Sequence, residues 1–220
     1  MEILRPDKKL IDGFFPLSTS TISDALDRFG LRAGCEGIFP IVSGVKMAGP
    51  AFTLRYVPVG QVKGTVGDYI DIAQAGDVIV LDNNGRTDCT VWGDILTSFS
   101  HQHNIGGTLI DGVCRDTNRS IELGYPIFSV SHFMRTGKDR VQVDATNIPV
   151  SIANVRVRPG DVILGDADGV VVIPKEHEEN VLRVAEQIEA AEEEIRKAIA
   201  GGMRLVDARV KFHYHDLQHG

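Results

Sequence analysis

Apolar spacing divides the chain into short buried strands alternating with amphipathic helices. Thr21-Ile-Ser-Asp24 fits the Ser/Thr-x-x-acid capping pattern. Ile22, Leu26 and Phe29 then share one helical face before Gly30, which predicts a first helix over residues 21–29. Val45 to Met47 and Ala51 to Val57 read as strands broken at Gly49-Pro50, because proline offers no N–H to a ladder. Residues 66–74 carry a short helical pattern. The run Gly76-Asp-Val-Ile-Val-Leu-Asp82 reads as a buried strand, closed by an Asn83-Asn84-Gly85 loop. Trp92, Ile95, Leu96 and Phe99 recur at i, i+3, i+4 and i+7, which predicts a helix from Trp92 to His103 with that face inward. Thr108 to Ile110 end the next strand at an Asp111-Gly112 turn. A short helix follows Asp116 and stops at Gly124, and Pro126 to Val130 form another strand. Val150, Ile152, Val155 and Val157 alternate with polar residues, and two apolar runs, 161–164 and 170–173, are joined by a Gly-Asp-Ala-Asp-Gly hairpin turn. That turn begins like a calcium loop but lacks the rest of the pattern. From Lys175 to Ala200 the chain predicts one long amphipathic helix, with Val181, Val184, Ile188, Ala191, Ile195 and Ala198 along its apolar side and Gly201-Gly202 at its end. Strands alternating with helices predict an α/β fold.

Composition narrows the class. The chain has 220 residues, 43% hydrophobic and 24% charged, as expected for a soluble globular domain. A net charge of -7 argues against a nucleic-acid partner, though one arginine and one metal ion can reverse the field locally. No apolar run approaches the roughly 20 residues a membrane span needs, and the opening Met-Glu-Ile-Leu-Arg-Pro-Asp-Lys-Lys has no signal-peptide hydrophobic stretch. The three cysteines, Cys35, Cys89 and Cys114, are too scattered for a zinc pattern or a disulfide framework. A reducing cytoplasm is the expected setting. Cys114 reads as a small buried hydrophobe, and the tail His213-Tyr-His215-Asp216 as a loose polar end with at most adventitious metal binding. Glu192-Glu193-Glu194 reads as a solvated face.

Several catalytic classes are missing their signatures. There is no G-x-S-x-G elbow, no glycine-rich phosphate loop and no H-E-x-x-H zinc helix. What remains is Gly93-Asp94-Ile95-Leu96 at a helix start and Arg115-Asp116 just past the next strand, where α/β folds bind ligands. A helix N-terminus binds anions, arginine offers a planar fork to a carboxylate or enolate, and aspartate offers hard oxygens to Mg²⁺ or Mn²⁺. Consecutive elements usually pack as neighbours, which would bring the two segments to one cleft. Two plainer readings stand beside this one: a solvated Arg-Asp pair, and Asp116 as no more than the N-cap of the helix it precedes.

Taken in order, Thr19-Ser-Thr-Ile-Ser-Asp-Ala-Leu-Asp27, Gly49-Pro-Ala51, Gly76 to Asn83, Gly93-Asp-Ile-Leu96, Asp111-Gly-Val-Cys-Arg-Asp116 and Arg158-Pro-Gly-Asp161 with Asp166-Ala-Asp-Gly-Val-Val172 resemble the RraA-like family. That family includes the class II, metal-dependent 4-hydroxy-4-methyl-2-oxoglutarate / 4-carboxy-4-hydroxy-2-oxoadipate aldolases. The resemblance implies a single-domain α/β sandwich of the swivelling β/β/α kind with a long C-terminal helix. Residues 18–202 would form the catalytic domain, with an N-terminal arm over 1–17 and a C-terminal tail over 203–220. It implies a homotrimer or hexamer with active sites at subunit interfaces. By the same resemblance Asp116 would bind the metal and Arg115 the substrate. The backbone from Gly93 to Leu96 would hold a carboxylate, and Asp94 would act through metal-bound water. A glutamate of a neighbouring subunit, among Glu192, Glu193 and Glu194, would assist. The chain departs from the family's frequent Gly-Glu-Leu-Leu-Ala loop, with Asp94 at the acid and Thr97 at the alanine.

The expected activity is cleavage of a 4-hydroxy-2-oxo acid to pyruvate and a second carbonyl compound, with decarboxylation of oxaloacetate through the same enolate. Mg²⁺ or Mn²⁺ would act as Lewis acid, and Arg115 would stabilise the enolate. The alternative is a non-catalytic regulator that inhibits a ribonuclease by contact. Such relatives lack the aspartate after the arginine, so Asp116 favours the enzyme. No glycine-rich nucleoside loop supports a methyltransferase. Neither Lys63 nor Lys138 lies in a buried strand suited to a Schiff base.

Overall fold

The computed structural model describes residues 3–212. Its ten strands are β1 (Phe39–Pro40), β2 (Met47–Pro58), β3 (Val78–Thr90), β4 (Gly107–Cys114), β5 (Ile127–His132), β6 (Val141–Thr146), β7 (Val150–Ile152), β8 (Val155–Val157), β9 (Val162–Asp166) and β10 (Gly169–Ile173). The helices are α1 (Lys8–Phe14), α2 (Thr19–Asp27), α3 (Asp94–Gln102), α4 (Thr117–Leu123), α5 (Glu178–Ala200) and α6 (Leu205–Lys211). An eight-stranded sheet runs in the order β1-β5-β4-β3-β2-β9-β10, with β6 added on β2, while β7 and β8 form a separate hairpin. The centre, β2 to β5, is parallel, and the flanking pairs are antiparallel.

Burial on both faces explains the near-continuous apolar runs of β3 and β4. Val78, Val80 and Leu109 face a core shared with β9, β10, α2 and α5, whereas Ile79, Leu81 and Ile110 face a second core with Trp92, Tyr125 and the flanks of α3 and α4. Each such aliphatic side chain contributes about 1.5–3 kcal/mol by leaving water. The long C-terminal helix follows a short 3-10 turn at Lys175–His177 and buries Val181, Val184, Ala185, Ile188 and Ile195, close to the predicted stripe. The 161–173 segment forms the predicted β9–β10 hairpin.

Several boundaries differ from the sequence pattern, each for a physical reason. Ser18, not Thr21, caps α2, accepting the Thr21 N–H at 3.0 Å. Strand β2 runs through Gly49-Pro50 unbroken: Pro50 is the last residue paired with β9 and Ala51 the first paired with β3, so the missing N–H falls where the strand changes partner. The 66–74 pattern yields only a 3-10 turn at Asp68–Ile72. Asn83-Asn84-Gly85 is not a loop. Asn84 and Gly85 have φ of 54° and 66°, and β3 absorbs them as an irregularity between Asp82 and Arg86 before continuing to Thr90. Nor does Asp111-Gly112 end β4, which pairs on to Cys114. Finally, α3 starts at Asp94. Trp92 reaches the core from the preceding turn, Thr97 and Ser100 are the buried positions of the helix, and Ile95 is 80% exposed.

Residues 3–17, read as an arm, are pinned to the domain. Phe14 of α1 and Leu17 enter one core and Ile3 the other, and Arg5 pairs with both oxygens of buried Asp77 at 2.7 Å. In the tail, α6 buries Ala208. His213 and His215 lie outside the described residues.

Candidate active site

Strand β4 carries Arg115 and Asp116 just past its end, and the Trp92–Asp94 turn meets them from the end of β3. The Arg115 N–H donates to the Trp92 carbonyl at 3.0 Å, locking the two segments together. Asp116 sits in the left-handed region at φ 56° and ψ 39°, a conformation that Asp and Asn tolerate better than most residues. It occupies the N-cap position of α4, yet its side chain makes no capping bond. The carboxylate turns the other way. Its Oδ2 lies 3.3 Å from Arg115 Nε and accepts the Asp94 N–H at 3.4 Å. The capping reading of Asp116 is therefore displaced.

Gly93 is the N-cap of α3, with extended φ and ψ that any residue adopts. Its need for glycine is spatial: a Cβ there would stand 2.9 Å from Asp116 Oδ2 and 3.3 Å from Arg115 Nε. The first amides of α3 lack helical partners. Asp94 Oδ1 accepts the Ile95 N–H at 2.9 Å, and the Thr97 N–H returns to the Gly93 carbonyl. The Leu96 amide has no partner among the described residues. The Asp94 carboxylate thus occupies the place an anionic ligand would take on Ile95. Beside this turn lies a cleft of about 410 Å³, lined by Trp92 to Leu96, Arg115, Asp68, Asp71, Thr136 and Lys138, among others. Asp116 does not line it, but touches two residues that do, Arg115 and Asp94. A wider hollow at Ile41–Lys46 has Lys46 as its single ionisable group and Ser43 as its hydroxyl, with no acid in its lining.

Comparison with known proteins now decides the family. The profile of the RraA-like family, described as Aldolase/RraA, matches residues 19–172. The chain belongs to the RraA-like family. Protein DlpA of Legionella pneumophila is 40% identical over 93% of this chain, which spans only 34% of DlpA. The "Putative 4-hydroxy-4-methyl-2-oxoglutarate aldolase" of Halalkalibacterium halodurans is 35% identical, covering 93% of this chain and 95% of that one. Streptomyces coelicolor RraAS2, described as an unusual member of the RNase ES inhibitor RraA family, superposes with a TM-score of 0.78 at 30% identity, over 86% of this chain and 96% of that one. The expected RraA-like α/β fold is present.

Of the expected residues, Gly93, Asp94, Ile95, Leu96 and Arg115 line the cleft, and Asp116 stands beside it against Arg115 and the Asp94 N–H. Among the described residues no group of three or more His, Cys, Asp or Glu side chains could hold a metal. Mg²⁺ keeps several waters and takes one or two protein carboxylates. Asp116 fits: its carboxylate is 43% exposed, hard, and not consumed by capping. Glu192, Glu193 and Glu194 are each tied to Arg196 or Lys197 on α5. Cys114 is no nucleophile, since burial pushes its thiol up to about 11. Lys63 pairs with Asp139 at 2.5 Å on the surface, and Lys138 is exposed at the cleft. Sequence reasoning missed Asp68, Asp71 and Lys138 as lining residues. The buried Thr97 lies off the Trp92, Ile95, Leu96 and Phe99 stripe and is not marked by it.

Proposed function

We propose that this chain is a divalent-metal-dependent lyase that cleaves a 4-hydroxy-2-oxo acid to pyruvate and a second carbonyl compound and also decarboxylates oxaloacetate. The observation that carries this reading is the convergence of Arg115 and Asp116 on the N-terminal turn of α3, across a glycine that has no room for a side chain. In the reaction the C4 hydroxyl loses its proton and the C3–C4 bond breaks. The electron pair moves onto C3, conjugated with the C2 oxygen, and C4 departs as a carbonyl. Protonation of C3 then gives pyruvate.

Each residue has a task matched to its position. The terminal guanidinium nitrogens of Arg115 have no hydrogen-bond partner among the described residues, and they donate to the C2 oxygen as negative charge develops. The Leu96 amide and the dipole of α3 hold the C1 carboxylate. Asp94 moves off the Ile95 amide when that carboxylate binds, and its freed Oδ1 holds the water that carries the proton. Asp116 would hold Mg²⁺ or Mn²⁺, which supplies Lewis-acid polarisation of the 2-oxo group. Loss of CO₂ from oxaloacetate leaves the same enolate, so Arg115 serves both reactions. Arg115 and Asp116 remain 40% and 43% exposed, which leaves room for a neighbouring subunit in a homotrimer or hexamer.

The test is pyruvate release from a panel of 4-hydroxy-2-oxo acids and from oxaloacetate. EDTA is expected to abolish it, and Mg²⁺ or Mn²⁺ to restore it. Full turnover in metal-free buffer refutes the metal-dependent mechanism. No turnover on any member refutes the lyase reading and favours inhibition by protein contact, the reading suggested by the likeness to RraAS2.

A further inference from the structure

We propose that Thr97 is a positioning residue for this site, acting through one peptide group. The indole Nε1–H of Trp92 donates to Thr97 Oγ1 at 2.9 Å, and that hydroxyl donates its own proton to the Gly93 carbonyl at 3.0 Å. The Thr97 N–H reaches the same carbonyl at 3.0 Å. Both side chains are buried, Trp92 at 2% and Thr97 at 1% exposure, so water does not compete for these groups. A hydroxyl has one proton. With the indole N–H as its donor, its own proton is committed to Gly93, so the relay has a single direction, and hydrogen bonds in such a chain polarise one another.

The Gly93 carbonyl and the Asp94 N–H belong to the same planar trans peptide and point in opposite directions. Holding the carbonyl inward therefore turns the N–H outward, toward Asp116 Oδ2 at 3.4 Å. The same peptide begins at the Gly93 Cα, which packs against Asp116 and Arg115 too closely for a Cβ. The relay is braced at its far end. The Trp92 ring stacks on Tyr125 with 4° between planes, and Tyr125 is held through Thr108 and Ser120. Trp92 also accepts the Arg115 N–H through its own carbonyl. One circuit, buried at its Trp92–Thr97 end, thus ties Arg115, the Gly93–Asp94 peptide and, through it, Asp116. The family's frequent alanine at this helix position has no hydroxyl with which to close it.

The kinetic arm of the test rests on the lyase reading; the structural arm does not. Thr97→Val keeps the branched shape and removes the hydroxyl. We expect kcat for pyruvate release to fall about tenfold or more, the scale of a sub-ångström misplacement, with KM for the oxo acid nearly unchanged. Thr97→Ser restores the hydroxyl and is expected to recover kcat. Trp92 is the protein's one tryptophan, so its emission reports the relay directly. The emission shifts in Thr97→Val and stays in place in Thr97→Ser, and the Asp94 amide exchanges faster with solvent in the valine variant alone. Unchanged kcat, emission or Asp94 exchange in a folded Thr97→Val overturns the proposal. Equal losses in the valine and serine variants overturn it too. If Thr97→Val does not fold, Trp92→Phe removes the donor from the other end while keeping the ring stack on Tyr125. Faster Asp94 exchange then supports the relay, and unchanged exchange overturns it. If the wild-type protein cleaves no oxo acid, the lyase reading fails while emission and exchange still decide the role of Thr97.

Discussion

Gly93→Ala separates folding from function at this site. The backbone at Gly93 is extended, so alanine meets no φ/ψ penalty. Alanine is a poorer N-cap than glycine, but it also restricts the unfolded chain, and the two effects oppose each other at the level of about 1 kcal/mol or less. The new methyl group would stand 2.9 Å from Asp116 Oδ2 and 3.3 Å from Arg115 Nε. Ordinary contact requires roughly half an ångström more, which is about the tolerance of a functional constellation. Both charged side chains are about 40% exposed and can swing outward, so the fold relaxes cheaply while the site does not. Scaling from about 10²-fold for a 1 Å misplacement, kcat/KM should fall about 10- to 100-fold, or about 1.4–2.7 kcal/mol of transition-state stabilisation. Pyruvate release coupled to lactate dehydrogenase measures kcat/KM, and urea unfolding measures folding stability. Wild-type kcat/KM in the folded variant would refute the argument that these atoms act together. A stability loss above about 3 kcal/mol would show that the glycine serves the fold instead.

Asp116→Asn and Arg115→Ala should fail differently: the first keeps the left-handed backbone and folds normally but binds Mg²⁺ poorly, while the second keeps metal affinity and loses about 10²–10³ in kcat. Metal titration and steady-state kinetics check both, and wild-type turnover in Asp116→Asn would remove the role assigned to it. Arg5→Ala leaves the carboxylate of Asp77, whose side chain is 0% exposed, with the Gln74 N–H but without its cation, and should cost about 2–4 kcal/mol in urea unfolding, below the full range for a buried pair because Arg5 is itself 24% exposed. Burial raises the Cys35 thiol to about 12 and the Cys114 thiol to about 11, so both stay protonated at pH 8. Iodoacetamide should therefore label them only as fast as the protein unfolds, and rapid labelling of the native protein would contradict their burial.

The parts of the fold that were legible in the chain are those whose burial is one-dimensional. The stripe of α5 and the apolar run opening β3 each repeat one environment over several residues, and periodicity reports a repeated environment. The stop at Gly124 was equally plain, because the chain needs φ near 61° there and glycine supplies it. Errors cluster where one residue serves two elements. Trp92 has the spacing of a helical residue but enters the core from a turn, and it carried the predicted start of α3 with it. Asn84 and Gly85 do turn the backbone, as their types suggest, yet β4 stays close enough for pairing to resume at Arg86, so the turn signal marks an irregular strand and not its end.

The site divides along the same line. Arg115, Asp116 and Asp94 announce themselves because their chemistry is in their side chains, and a strand end beside a helix start is where such chemistry collects. Gly93 and Thr97 carry nothing reactive. Their importance lies in the missing Cβ, which would stand 2.9 Å from Asp116 Oδ2, and in a hydroxyl facing inward, and both matter only once β4 and α3 have packed. The sequence did hold one trace of this: threonine in place of the family's frequent alanine, immediately after the loop. A buried hydroxyl needs a partner to offset its desolvation. The two partners found, the Trp92 indole and the Gly93 carbonyl, are both residues of the turn that faces Arg115 and Asp116. The departure from the expected family pattern therefore falls on the turn that sets Gly93 and Asp94 against Arg115 and Asp116.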